Sequence, residues 1–247
     1  FSIVYENNCS HQCVQCTCSR KECGDRGSTQ IRIIDEFQSI ALSVLPTEKE
    51  DCHLTVCCCS SIRRAVAVLI APGLEEVEAL APVDILYRAG IRADLVSVTN
   101  SLAVGSSHQV VLTCDRLLSE VDLADYALVL LPGGIPGTPN LKAVPAVRQE
   151  IARRMNGDLP LAAVCAAPSI LAEMELLQGR RATSNPAFMD VLAEHGALVS
   201  QDSVVVDGTL FTSRGMATAV DLGLEIVRYY LGDDAVENLK KAVVYQR

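Results

Sequence analysis

A chain of 247 residues that is 49% apolar can bury one large core or two small ones. Its formal net charge of −9, with no clustered stripe of Lys and Arg, excludes a nucleic-acid surface, which needs concentrated positive charge. No apolar run reaches the ~18 residues of a membrane span and no basic, then apolar, leader opens the chain, so a cytoplasmic protein acting on a small molecule or another protein is expected.

Residues 1–63 hold nine of the eleven cysteines in a polar, Ser- and Gln-rich setting whose only periodic stretch is "IRIIDEFQSIALSVL" (31–45). Cys9, Cys13 and Cys16 have the CxxxCxxC spacing that holds an iron–sulfur cluster in radical enzymes using S-adenosylmethionine. Such enzymes extend over a long barrel, which this segment is too short to form, and the other thiols lack paired zinc spacing. The segment therefore reads as a weakly ordered extension, or as upstream sequence that is not part of the working protein, with no metal site assigned to it.

From Arg64 onward the chain reads as an independent domain, 64–247. "AVAVLIA" (65–71) is strand-like and leads through a turn into the helical "PGLEEVEALAPVDIL" (72–86), whose first turns carry Glu75, Glu76 and Glu78. Two of these three are expected only to complement the helix dipole. "ADLVSV" (93–98) and "ALVLLP" (127–132) are the next strands. The second runs into Gly133 and Gly134, whose bare backbone can approach a substrate oxygen and donate N–H groups. "LAAVC" (161–165) is a further strand, and "VVVDGTLFT" (204–212) places Asp-Gly between two apolar runs, a hairpin signal. Val220, Leu224, Val227 and Leu231 recur at helical spacing and mark a face that should lie on the sheet. The alternation predicts an α/β fold: a doubly wound, mainly parallel sheet with helices on both faces and one added hairpin.

Cys165 ends a buried strand and Pro168 opens a helix three residues later. Ala163 and Ala167 stand two positions either side, so strand, tight turn and helix follow the pattern of a nucleophile elbow. A helix start beneath the sulfur would favour thiolate. Spacing alone leaves an inert core cysteine open. In open α/β sheets the carboxyl ends of the strands form the ligand crevice, so the acidic turn, the Gly-Gly pair and Cys165 are expected to meet there.

"AVAVLIAPGLEEVEALAPVDILYRAG", "LVLLPGGIPGTPNL", "LAAVCAAPSIL" and "DGTLFTSRGMATAVDLGLEIV" together resemble the ThiJ/PfpI superfamily, in its DJ-one branch, over residues 64–247. The resemblance implies a flavodoxin-like sandwich, a homodimer with the helix at 75–89 as candidate interface, and an oxidisable nucleophilic cysteine. That cysteine falls on Cys165, with Glu78 as its hydrogen-bonded partner. Gly133, Gly134 and Ala166 match the anion pocket, and Arg214 in "TSRG" matches an arginine that supports it. Asn185, in "TSNPAFMD", stands where several members carry a histidine and is assigned to pocket support.

Ala-Ala-Pro after Cys165, in place of His-Gly-Pro, disfavours proteolysis. Met216 and Ala217 replace the usual Pro-Gly and are expected to loosen the pocket wall. His108 and His195 are expected at the solvated surface, and Cys114 in packing. The implied function is a glyoxalase III- or deglycase-like enzyme with no cofactor and no metal. It would act on reactive dicarbonyls such as methylglyoxal or glyoxal, giving a hydroxy acid, or on early adducts of a glycated amine or thiol. The alternative is an oxidative-stress sensor or redox-regulated chaperone using the same thiol.

Overall fold

In the computed structural model, which describes residues 65–246, strand β1 (Val66–Ile70) has every side chain buried. An uninterrupted apolar run demands this, because it suits only a strand covered on both faces. Helix α1 (Glu76–Arg88) follows, then β2 (Ala93–Ser97), a small antiparallel pair β3 (Ala103–Gly105) and β4 (Val111–Thr113), and a short β5 (Arg116–Leu117). Next come β6 (Leu128–Leu131), α2 (Gly137–Ala143), α3 (Pro145–Asn156), β7 (Leu161–Val164) and α4 (Pro168–Glu173). The remaining elements are β8 (Arg181–Ala182), α5 (Met189–Glu194), β9 (Leu198–Val199), β10 (Val204–Asp207), β11 (Leu210–Ser213), α6 (Ala219–Leu231) and α7 (Asp233–Ala242). The cysteine-rich segment, with its CxxxCxxC spacing, lies outside the described residues.

The main sheet has the order β10-β11-β7-β6-β1-β2-β5, parallel throughout except at the β10–β11 hairpin. Alternate residues of β1 feed two separate cores. Val66, Val68 and Ile70 pack with Ile85 and Leu86 of α1, Leu222 and Ile226 of α6 and Val236 of α7. Ala67 and Leu69 pack with Val147 and Ile151 of α3, Ile170 and Leu171 of α4 and Leu192 of α5. This is the doubly wound α/β architecture that the strand–helix alternation predicts.

Two local expectations need adjustment. The hairpin turns on Gly208 and Thr209, because Asp207 still pairs with Leu210 as a strand residue. Gly208 takes the positive φ of 63° that a two-residue turn requires, and the Asp207 carboxylate instead accepts from Arg180 Nε at 2.8 Å. On α6 the buried stripe holds Leu224 and Val227, as expected, together with Ala219, Leu222, Gly223 and Ile226, while Val220 and Leu231 only flank it. A stripe facing both a sheet and a second helix is wider than one row of residues four apart.

One buried charge was not anticipated. Arg154 of α3 is 1% exposed, pairs with Glu150 at 2.6 Å and donates to the carbonyls of Leu123, Tyr126 and Pro160 at 2.7–2.9 Å. It adds short, charged donors to carbonyls in the connection before β6 and at the start of β7, where the Leu123 and Pro160 carbonyls otherwise accept long backbone bonds from Tyr126 N–H at 3.3 Å and Val129 N–H at 3.4 Å.

Candidate active site

The strand order reverses at β1, which has β2 on one side and β6 on the other; this switch point opens a crevice at the carboxyl ends of the strands. Backbone and side-chain bonds join the loops there. Glu75 N–H donates to the Gly133 carbonyl at 3.1 Å, and Gly133 N–H donates to Glu78 Oε2, also at 3.1 Å. The acidic turn and the Gly-Gly turn therefore meet, as expected.

Cys165 is the hinge between β7 and α4 and has φ = 63°, a value uncommon for a residue with a side chain. Three bonds hold it there: its N–H donates to the Ser213 carbonyl at 2.9 Å, its carbonyl accepts from Asn185 N–H at 2.9 Å, and Ala167 N–H reaches back to Val164 at 3.0 Å. Strain that is over-determined by its surroundings is characteristic of functional sites. The residue is half-buried, unlike the enclosed Cys114.

Glu78 is 1% exposed. Its carboxyl contacts the Cys165 thiol and the N–H groups of Gly133 and Met216. Burial is the main force pushing it up to about 7, helped by the charge of Glu75 and opposed by those three hydrogen bonds. The Cys165 thiol is pushed up to about 12, first by burial and then by the Glu78 carboxylate, against the pull of the Ala166 and Gly134 amides. The thiolate expected from a helix start is therefore not the resting form beside an ionised Glu78. Helix α4 has only six residues, and its dipole does not offset a buried neighbouring carboxylate. The two groups form a pair that gives up its first proton at about 7 and retains the second above that. Moving that proton from sulfur to carboxyl creates the nucleophile without changing the net charge.

Each residue singled out in the sequence can now be placed. The Gly134 and Ala166 amides face the sulfur, whereas the Gly133 amide is committed to Glu78 and is not a free oxyanion donor. Gly133 is needed for close approach: a β-carbon there would lie 2.6 Å from Glu78 Oε2 and 2.7 Å from Cys165 Cβ. Asn185 uses Oδ1 to accept from Ala187 N–H at 3.1 Å. Its Nδ2 and Glu78 Oε1 each lie 3.7 Å, and Cys165 Sγ 4.0 Å, from the position a β-carbon on Gly215 would take. Arg214 does not bond to the pair; its guanidinium donates to the Gln201 carbonyl at 2.8 Å and steadies the segment before β10.

His108 and His195 are engaged at the periphery, with Glu76 at 3.1 Å and Glu175 at 2.9 Å respectively. Cys114 is buried, and burial pushes its thiol up to about 11, which suits packing. Glu75, Glu76 and His108 bring potential metal-ligand atoms within 4.8 Å of one another. Their contacts are those of an N-cap and an ion pair: Glu75 Oε2 accepts from Glu78 N–H at 2.7 Å, and Glu76 holds His108. Sequence reasoning missed the Met216 N–H on Glu78 and the Ser213 carbonyl on Cys165. Backbone groups carry no residue-type signature, so only the tertiary fold reveals them.

Comparison with known proteins places the fold in a family. The DJ-1/PfpI family pattern matches residues 64–229. Protein dj-1beta of Drosophila melanogaster is 32% identical over 181 residues, covering 73% of this chain and 97% of that protein. The crystal structure of Drosophila DJ-1beta superposes with a TM-score of 0.71 at 31% identity, over 75% of this chain and all of that one. An oxidized DJ-1 from Toxoplasma gondii gives 0.69 at 28% identity, over 74% and 99%. Protein DJ-1 homolog A of Arabidopsis thaliana is 30% identical over 75% of this chain, which spans about half the length of that relative, 47%. With the family pattern matched over residues 64–229 and a relative 32% identical over nearly its whole length, the chain belongs to the DJ-1/PfpI family.

Proposed function

We propose that the chain is a cysteine-dependent enzyme, needing no cofactor, that converts reactive dicarbonyls such as methylglyoxal or glyoxal, free or as early glycation adducts, into hydroxy acids. The observation that carries this is the contact between a buried Glu78 near neutrality and a strained, half-buried Cys165. A group with a pKa near the working pH is suited to take a proton and return it.

As Cys165 sulfur bonds to the aldehyde carbon, its proton passes to Glu78, and the carbonyl π pair moves onto oxygen beside the Gly134 and Ala166 amides. That oxygen then takes the proton from Glu78, leaving a hemithioacetal and a carboxylate. Glu78 next removes the carbon-bound proton of the former aldehyde, forming an enediolate; the hydroxyl proton passes to the neighbouring oxygen, and Glu78 returns the carbon-bound proton to the adjacent carbon. The result is a thioester of the hydroxy acid, which water cleaves to release the acid and restore the thiol. Overall one water is added, and no oxidant is consumed.

The test uses the full chain and reads lactate formed from methylglyoxal without glutathione or added metal. Product must be read, because the N-terminal thiols also bind aldehyde. Cys165→Ser should abolish lactate formation, and Glu78→Gln should slow it by a factor on the order of a hundred or more. Equal, background-level product from all three proteins rejects the enzyme.

The amides facing the sulfur also favour a second reading, an oxidative-stress sensor or redox-regulated chaperone, since they would stabilise a sulfinate anion. Peroxide forming a stable Cys165 sulfinate in a chain without turnover would select it. A working thiol needs a reducing compartment, which supports the cytoplasm, and among the described residues no helix is long and apolar enough to cross a membrane.

A further inference from the structure

We propose that Glu75 is a positioning residue for Glu78, fixing both where its carboxyl stands and which charge state it holds. This rests on the reading of Glu78 as the proton carrier for Cys165. Glu75 is the N-cap of α1: its Oε2 accepts from Glu78 N–H at 2.7 Å, and its own N–H donates to the Gly133 carbonyl at 3.1 Å. Gly133 N–H closes the ring on Glu78 Oε2 at 3.1 Å. Three residues on two elements thus fix one carboxyl through three hydrogen bonds, and no other residue of α1 bonds to both Glu78 and the loop after β6.

An N-cap needs only an oxygen acceptor, which Ser, Thr, Asn or Asp supplies with a shorter side chain. Glutamate adds a negative charge beside a buried carboxyl, and that charge disfavours ionisation of Glu78. The groups facing Glu78 are Glu75 on its own helix, the Cys165 thiol from the β7–α4 elbow, and the amides of Gly133 and Met216. Facing Glu75 in turn is His108, from the β3–β4 connection, which also pairs with Glu76. Of the charged groups named, Glu75 is the one that opposes ionisation of Glu78 without itself being part of the reacting pair.

The test compares the wild-type full chain with Glu75→Gln and Glu75→Ser, both neutral and both retaining a capping oxygen. Alkylation by iodoacetamide is followed against pH at the Cys165 peptide by mass spectrometry. The protonated-carboxyl band of Glu78, assigned by its loss in Glu78→Gln, is titrated alongside. The proposal expects both variants to lower the midpoint by about one pH unit and to lower the alkylation plateau severalfold, because a less basic carboxylate takes the thiol proton less readily. If Glu75 only caps the helix, both midpoints stay at the wild-type value and the proposal is overturned. Glu75→Ser carries the test if Glu75→Gln does not fold. Neither readout needs turnover, so a shifted midpoint in a chain that makes no lactate rejects the dicarbonyl enzyme and leaves the role of Glu75 standing.

Discussion

Glu78 and Cys165 cannot both ionise near neutrality, since each buried anion raises the cost of the other. The consequence reaches beyond chemistry to stability. Glu78 rises from 4.5 to about 7 on folding, so between those values the folded chain holds a proton that the unfolded chain releases. Stability contributed by protonated Glu78 is full below about 4.5 and declines as pH rises through 7, by on the order of 3 kcal/mol. Denaturant unfolding of the wild type and Glu78→Gln at several pH values should show wild type losing ground to the variant across that window. A stability difference constant from pH 4 to 8 would contradict the burial argument. The residue types of this pair were legible, because an acidic turn and an elbow cysteine each follow a strand. Their charge states were not: the sequence pattern offered a helix start that lowers a thiol pKa, while burial and the neighbouring carboxylate, which raise it, exist only in three dimensions.

At the scale of elements, β1, β2, β6 and β7 appear where apolar runs place them, and α1 and α6 where helical spacing places them. What the runs could not show was a charge inside. Arg154 drew no reading from the sequence, yet it binds Glu150 and three backbone carbonyls at 1% exposure. Replacing it with Met fills similar volume but removes the charged donor from all three carbonyls and leaves those of Leu123 and Pro160 with backbone bonds of 3.3 and 3.4 Å. Arg153 still pairs with Glu150 at 2.7 Å, so the acid itself is not stranded. We expect Arg154→Met to destabilise the fold by about 3–5 kcal/mol in urea unfolding, and a loss under about 1 kcal/mol would show that water replaces the guanidinium. The hairpin teaches a smaller lesson of the same kind. Asp-Gly marked its position, but the Arg180–Asp207 contact decides that Asp207 stays in the strand.

At the scale of the whole molecule, α1 is pressed between the sheet core and solvent, with Val77 and Leu80 of its first two turns 41% and 37% exposed. Tyr87 at its far end is 79% exposed. We propose that α1 is the interface of a homodimer, for which these exposed apolar side chains are the support. Light scattering of the full chain at micromolar concentration should give twice the 26.5 kDa chain mass, and Leu80→Glu should shift it towards one. A single-chain mass for the wild type would remove the dimer from the account.

The central claim is that Cys165 acts through a proton shared with Glu78. The most direct measurement is the pH dependence of lactate formation from methylglyoxal by the wild type and by Glu78→Gln. Ionisation of the pair creates the form that can place its remaining proton on the carboxyl, so wild-type turnover should rise with pH to a midpoint at about 7 and then level. The residual activity of Glu78→Gln should lack that midpoint and follow the thiol alone. A wild-type profile without an inflection near 7, or the same profile in both proteins, would contradict the shared proton.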